Sequence, residues 1–242
     1  MEYVIEVADL KKSFGTKNVL TGINLKVTKG ESVVIIGGSG SGKSVLFKCI
    51  LGLINPTSGL VKINNHDVST LSRSELQKTR LKCGVLFQGG ALFDSLTVIE
   101  NVSFGLIYGL RMPRNKAFAI ALEKLKSVNL EPDVANLYPA ELSGGMIKRV
   151  ALARAIATNP DIIFFDEPTS GLDPITSKVI NNLIIKCTKE FNISAITITH
   201  DINSLKTISD YVYLLHNGKF IWEGKSKDIW NSSDTVVSQF VN

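Results

Sequence analysis

The chain has 242 residues, of which 44% are hydrophobic and 20% charged, with a formal net charge of +5. That length and balance describe one globular core, or one core with an inserted lobe, and exclude a disordered or fibrous chain. The mild basic excess suits anionic lipid headgroups or nucleic acid, but without any block of five or six like charges it reads as a solvated face and decides nothing.

Three widely spaced cysteines, Cys49, Cys83 and Cys187, form no C-x-x-C pair, which points to a reduced, cytosolic setting. Cys49 and Cys83 sit in apolar stretches and read as small buried hydrophobes. Residues 1–10 are acidic and lack the basic start and apolar centre of a signal peptide. No apolar run approaches the ~18 residues that a spanning helix needs.

In chain order, residues 3–7 and 23–27 alternate as strands do, with turns expected at Gly15, Gly22 and Gly30. The apolar run Val33-Val34-Ile35-Ile36 predicts a buried strand. It runs into Gly37-Gly38-Ser39-Gly40-Ser41-Gly42-Lys43-Ser44, after which Leu46, Phe47 and Ile50 open a helix. A glycine-rich turn between strand and helix aims several backbone N–H groups into one concavity at a helix N-terminus, where free donors and helix dipole both favour an anion. The glycines admit phosphate close to the backbone, Lys43 reaches the β and γ oxygens, and the Ser44 hydroxyl can ligate Mg2+. This strand–loop–helix context implies a bound nucleoside triphosphate.

Beyond it, a turn at 55–59 leads to a short strand at 60–63, a polar helix is expected near 74–80, and a strand at 83–87. Ile99, Val102, Leu106 and Leu110 suit one helix face; helices are also expected at 117–128 and within 142–157. This helical stretch interrupts the α/β alternation, so residues of about 91–158 read as a helical lobe and 1–90 with 159–242 as the core of a single domain. The alternation resumes with a buried strand at 162–165, a helix at 175–189 and a strand at 194–199. Asn217-Gly218 marks a tight hairpin between 211–215 and 220–222, and two short helices close the chain. His66 and His216 read as surface residues.

A second signal is Leu142-Ser143-Gly144-Gly145-Met146 ahead of a helical run. Ser143 is placed to cap that helix, and the paired glycines let another body approach closely. A capped helix start is a second phosphate site, and one ATP cannot sit on both if the lobe holds them well apart.

With these motifs in this order, the chain resembles an ATP-binding-cassette (ABC) ATPase over nearly its whole length. The resemblance implies a P-loop NTPase core of α/β class, with an N-terminal antiparallel β subdomain and an inserted α-helical lobe. It implies ATP and Mg2+ as ligands, and a head-to-tail homodimer in which Ser143, Gly144 and Gly145 of one subunit close over the ATP on the P-loop of the other. Asp166 would hold Mg2+ with Ser44 and Gln88, Glu167 would polarise the attacking water, and His200 would contact the γ-phosphate. Lys43 completes that catalytic group, Phe14 would stack on adenine, and Asp173 would touch the partner subunit.

A single cassette, with Lys43 and Ser143 100 residues apart, resembles the separate ATPase subunit of a transporter more than a two-cassette translation factor or a coiled-coil DNA-repair relative. Residues 92–110 would then dock an intracellular helix of an integral-membrane permease. Met146 in place of the usual glutamine, and the run Gly89-Gly90-Ala91-Leu92-Phe93 after Gln88, are similar to the ATPases of Mla/MCE-type transporters, which move phospholipid or other hydrophobic cargo between bacterial membranes. That implies an MCE-type binding protein as a further partner, no nucleic acid, and a peripheral place on the cytoplasmic face of the inner membrane. Import of ribonucleotides or another small solute is the alternative, and a soluble, non-transport ATPase a more distant one.

Overall fold

In the computed structural model, which describes residues 2–232 and 234–241, the chain divides into two compact units. The first comprises residues 1–80 and 194–242, the second residues 81–193.

In the first unit, alternating apolar residues drive β1 (Tyr3–Phe14) to pair antiparallel with β2 (Lys17–Thr28) across a turn at Gly15. β4 (Ser58–Ile63) joins the other edge of β1, and β5 (His66–Asp67) completes the order β2-β1-β4-β5. Gly22 is not a turn but lies inside β2. With φ of 116° there and 44° at Asp9, the two strands absorb a register shift between Val7 and Leu10. A β-bulge, invisible to alternation counting, explains that glycine.

β3 (Ser32–Ile36) is flanked in parallel by β8 (Ser194–Thr199) and β9 (Tyr211–His216). All six residues of β8 are buried, as expected of a parallel strand covered on both faces. β10 (Lys219–Lys225) returns antiparallel to β9 through Asn217 and Gly218, whose φ of 47° and 76° fit a twisted two-residue turn. α1 (Lys43–Ile50) buries Leu46, Phe47, Cys49 and Ile50, whereas polar α2 (Arg73–Leu81) buries nothing.

In the second unit β6 (Cys83–Leu86) and β7 (Ile162–Asp166) pair in parallel. Around them lie α3 (Val98–Phe104), α4 (Arg114–Ser127), α5 (Gly144–Ala157) and α6 (Pro174–Glu190). The helices expected at about 91–158 lie wholly within this unit, which also takes in β6, β7 and α6. The close approach of α5 to β6 shows why: a Cβ on Gly84 would stand 2.3 Å from the Ala155 carbonyl oxygen.

Ile99, Val102 and Leu106 are buried as one face, but Leu110 is 46% exposed. The chain widens into a π-helical turn over Gly105–Gly109, which shifts the helical phase and rotates Leu110 off that face. Two further helices complete the first unit. α7 (Ile202–Ile208), which periodicity did not reveal, is started by Asp201, whose side chain accepts from the Asn203 N–H; α8 (Thr235–Val241) lies at the end of the described chain.

Candidate nucleotide-hydrolysis site

β3 ends at Ile36 and α1 starts at Lys43, so residues 37–42 form the loop at the C-terminal edge of the parallel strands. That edge is where α/β sheets place ligands. The loop is tight beneath and open above. A Cβ at Gly37 would lie 2.3 Å from the Leu215 carbonyl oxygen, whereas one at Gly38 or Gly40 would meet nothing within 4 Å. Gly42, at φ 110°, starts α1, and no side chain caps its first turn.

Lys43 folds back over the loop, its Nζ donating to the carbonyls of Gly37 at 2.7 Å and Gly38 at 2.9 Å. The Ser41 hydroxyl is buried with no hydrogen-bond partner among the described residues. Uncapped donors, an orphaned hydroxyl, an ammonium and open space above two glycines fit a phosphate chain. Ser39 and Ser44 are exposed beside it. Phe14 is 51% exposed, with the Lys12 Nζ over its ring, 4.8 Å from the centroid. The register Ile36↔Thr199 brings exposed His200 to the same sheet edge as Gly37.

The second unit repeats that geometry with different chemistry. The register Leu86↔Phe165 delivers Gln88 and the pair Asp166-Glu167 to one strand edge. The Gln88 Nε2 donates to the Ser170 hydroxyl at 3.3 Å. Glu167 adopts φ of 49°, a left-handed conformation that costs a glutamate free energy and is concentrated at functional positions. Among the described residues no cluster of three or more His, Cys, Asp or Glu side chains forms a metal cage. Hydroxyl Ser44, amide Gln88 and carboxylate Asp166 are oxygen donors of the kind Mg2+ takes when substrate phosphates and water supply the rest.

Ser143 starts α5, its hydroxyl accepting from the Met146 N–H at 3.3 Å. Ser143, Gly144 and Gly145 line a cleft of about 380 Å³ together with Gly171 and Asp173. Asp173 caps α6, accepting from the N–H groups of Ile175 and Thr176 at 3.0 Å each. A hydrogen bond from the Thr176 side chain, and after it the bonds from the Thr176 and Ile175 N–H groups, hold its carboxyl below the usual carboxylate range.

Two cations of α5 went unread in the sequence. The Lys148 Nζ donates to the carbonyls of Gln88 and Glu167, and the Arg154 guanidinium donates to those of Gly90 and Ala91 at 2.7 Å each. The available signal was a lysine at position 148 on a helix face that is otherwise buried at Ala151, Leu152 and Ala155.

The family model described as "ABC transporter" matches residues 20–170. The "Intermembrane phospholipid transport system ATP-binding protein MlaF" of Haemophilus influenzae is 41% identical over 98% of this chain and 90% of its own. The "Methionine import ATP-binding protein MetN 2" of Bacillus cereus is also 41% identical, over 96% of this chain and 68% of its own. Among solved structures, the dimeric ATP-binding cassette MJ0796 bound to ADP and Pi superposes with a TM-score of 0.84 at 38% identity, covering 92% of this chain and 98% of that one. Among the described residues, no helix is long and apolar enough to cross a membrane.

Proposed function

The chain belongs to the ABC transporter family and is the ATP-hydrolysing cassette of a transporter; from that premise we propose that it energises a separate integral-membrane permease carrying phospholipid or another hydrophobic cargo. The observation that carries the cargo reading is the near end-to-end match to a phospholipid-transport ATPase, 98% of one chain on 90% of the other. The match to a methionine-import ATPase at equal identity, reaching only 68% of that protein, supports the second reading, import of a small solute such as an amino acid or a ribonucleotide. A soluble ATPase without a permease is the least supported.

In this reading, Lys43, the loop amides, and Ser143 with Gly144 and Gly145 from a second copy of the chain surround the phosphates with positive field. Phosphoryl transfer to water needs little beyond positioning and neutralisation of charge. Ser44, Gln88 and Asp166 would hold Mg2+, which would supply charge neutralisation at the phosphates. Glu167 orients and polarises the attacking water, His200 holds the γ-phosphate, Phe14 stacks on adenine, and Asp173 lies at the subunit contact. The dimeric state, an MCE-type binding protein as partner, and a peripheral position on the cytoplasmic face of the inner membrane belong to the same proposal.

Glu167→Gln tests the mechanism. We expect retained ATP binding with turnover lowered by about two orders of magnitude or more, and a dimer trapped by ATP on size exclusion. Normal hydrolysis by that variant would remove Glu167 from its role. Purifying the chain with its membrane partners tests the cargo. Co-purifying lipid and ATPase activity raised by the permease support the first reading, and a nucleotide- or amino-acid-binding partner supports the second.

A further inference from the structure

We propose that Lys148 is a positioning residue for hydrolysis: from α5 its ammonium ties the Gln88 and Glu167 backbones to the helix that Ser143 begins. The proposal rests on the roles given above to Gln88, Glu167 and Ser143. Lys148 is only 4% exposed, and its Nζ donates both to the Gln88 carbonyl and, at 3.3 Å, to the Glu167 carbonyl. These two carbonyls follow the neighbouring strands β6 and β7. One side chain therefore spans two loop starts that the backbone ladder has already left.

A buried ammonium is a costly way to fill a core position, because desolvation disfavours the charge. That desolvation lowers the Lys148 ammonium below the ordinary lysine range, only partly offset by Asp166 and Glu167. A methionine would fill similar space without that cost. What a methionine lacks is N–H donors, and here they go to the backbone of the residue that must aim a carboxylate at water. Glu167 needs such support, since its φ of 49° is not a conformation a glutamate keeps by itself. Its carbonyl is held on one side by the Ser170 N–H at 3.2 Å and on the other by Lys148.

Arg154, further along α5, holds Gly90 and Ala91 in the same manner. The segment after β6 is thus fastened to α5 at both ends. Ser143 at the head of α5 faces a partner's nucleotide in the proposed dimer, while Gln88 and Glu167 serve the chain's own. Lys148 makes these one rigid piece, so engagement of one nucleotide is felt at the other.

Lys124 provides the control. It is also a buried lysine of this unit, 8% exposed, with its Nζ donating to Asn159 Oδ1 at 2.8 Å and 4.0 Å from the Phe191 ring centroid. None of its contacts reaches Gln88 or Glu167. Steady-state hydrolysis and melting temperature are measured for the wild type, Lys148→Met, Lys148→Arg and Lys124→Met.

We expect Lys148→Met to lower kcat about tenfold or more with KM within about twofold, the pattern of a lost transition-state interaction. Lys148→Arg should recover most of that loss, and Lys124→Met should melt lower yet keep kcat within about twofold of wild type. Should Lys148→Met not fold, Lys148→Leu, which also lacks the N–H donors, is compared with Lys124→Met instead; a selective kcat loss again supports the role. Equal kcat for the position-148 and position-124 variants, or an arginine variant no better than the methionine one, would overturn it. A wild-type chain that turns over no ATP would instead count against the proposed function.

Discussion

Two helices of this molecule begin at glycine-rich turns assigned to phosphate, and they begin differently. α1 follows Gly42 at φ 110° and has no side-chain cap, and the Lys43 ammonium bonds to the loop's own carbonyls. α5 follows Ser143, whose hydroxyl already accepts from the Met146 N–H at 3.3 Å. The first start carries no side-chain cap that a ligand would have to displace. The second is complete as a helix, and its serine can exchange a long internal bond for one to phosphate. A loop that encloses phosphate needs every donor free, whereas a surface that closes over a nucleotide already bound elsewhere must be stable before it arrives.

That contrast can be broken at several points, starting with the largest effect. Lys43→Ala removes the cation from the open start, and we expect ATP turnover to fall by about two orders of magnitude or more, measured as phosphate release. Ser143→Asp separates the two roles of the second start. Aspartate caps as well as serine and suits the helix dipole, so the melting temperature should hold or rise. Its carboxylate would repel phosphate, so hydrolysis should collapse. A variant that stays active would show that Ser143 is a cap and nothing more.

Gly42→Ala probes the backbone of α1. A Cβ there would lie 2.9 Å from Leu20 Cδ2 at a φ that side chains rarely adopt, and we expect a loss of about 1–3 kcal/mol in denaturant unfolding. The smallest effect concerns the start of α6, where Asp173 is fully committed as a cap. Its hydrogen bonds favour the ionised carboxyl and depress its folded value. The cap's contribution is therefore complete above the unfolded carboxylate range and drains as pH falls through the depressed folded value. Asp173→Asn should flatten the acid limb of a plot of melting temperature against pH, leaving neutral pH little changed.

Much of the site was legible in the sequence because its chemistry is local. Gly37 to Ser44 lie between a β-branched run and an apolar helix face, and Ser143 lies directly before a helix. Ile162 to Phe165 end in Asp166-Glu167, which no alternating surface strand would do. Each of these rests on neighbours within a few residues, where periodicity and turn chemistry act. Leu110 defeated the same reasoning because a π-helical turn changes the helical phase without any residue type announcing it. Gly22 looked like a turn because a bulge needs a partner strand, and Asp9 lies 13 positions earlier.

By itself the sequence determined which residues are proposed to carry the chemistry: the phosphate loop, the acidic pair, the serine-led helix and the strands that present them. Tertiary structure decided what supports those residues. Lys148 stands 60 positions from Gln88 and 19 from Glu167, and no local pattern distinguishes a lysine that reaches solvent from one that reaches two carbonyls. Which strand edge receives His200, and that α5 packs against Gly84, were equally matters of register and approach between distant segments. Short-range preferences select an element and the face it buries; only the packing of distant elements determines which backbone a buried side chain meets.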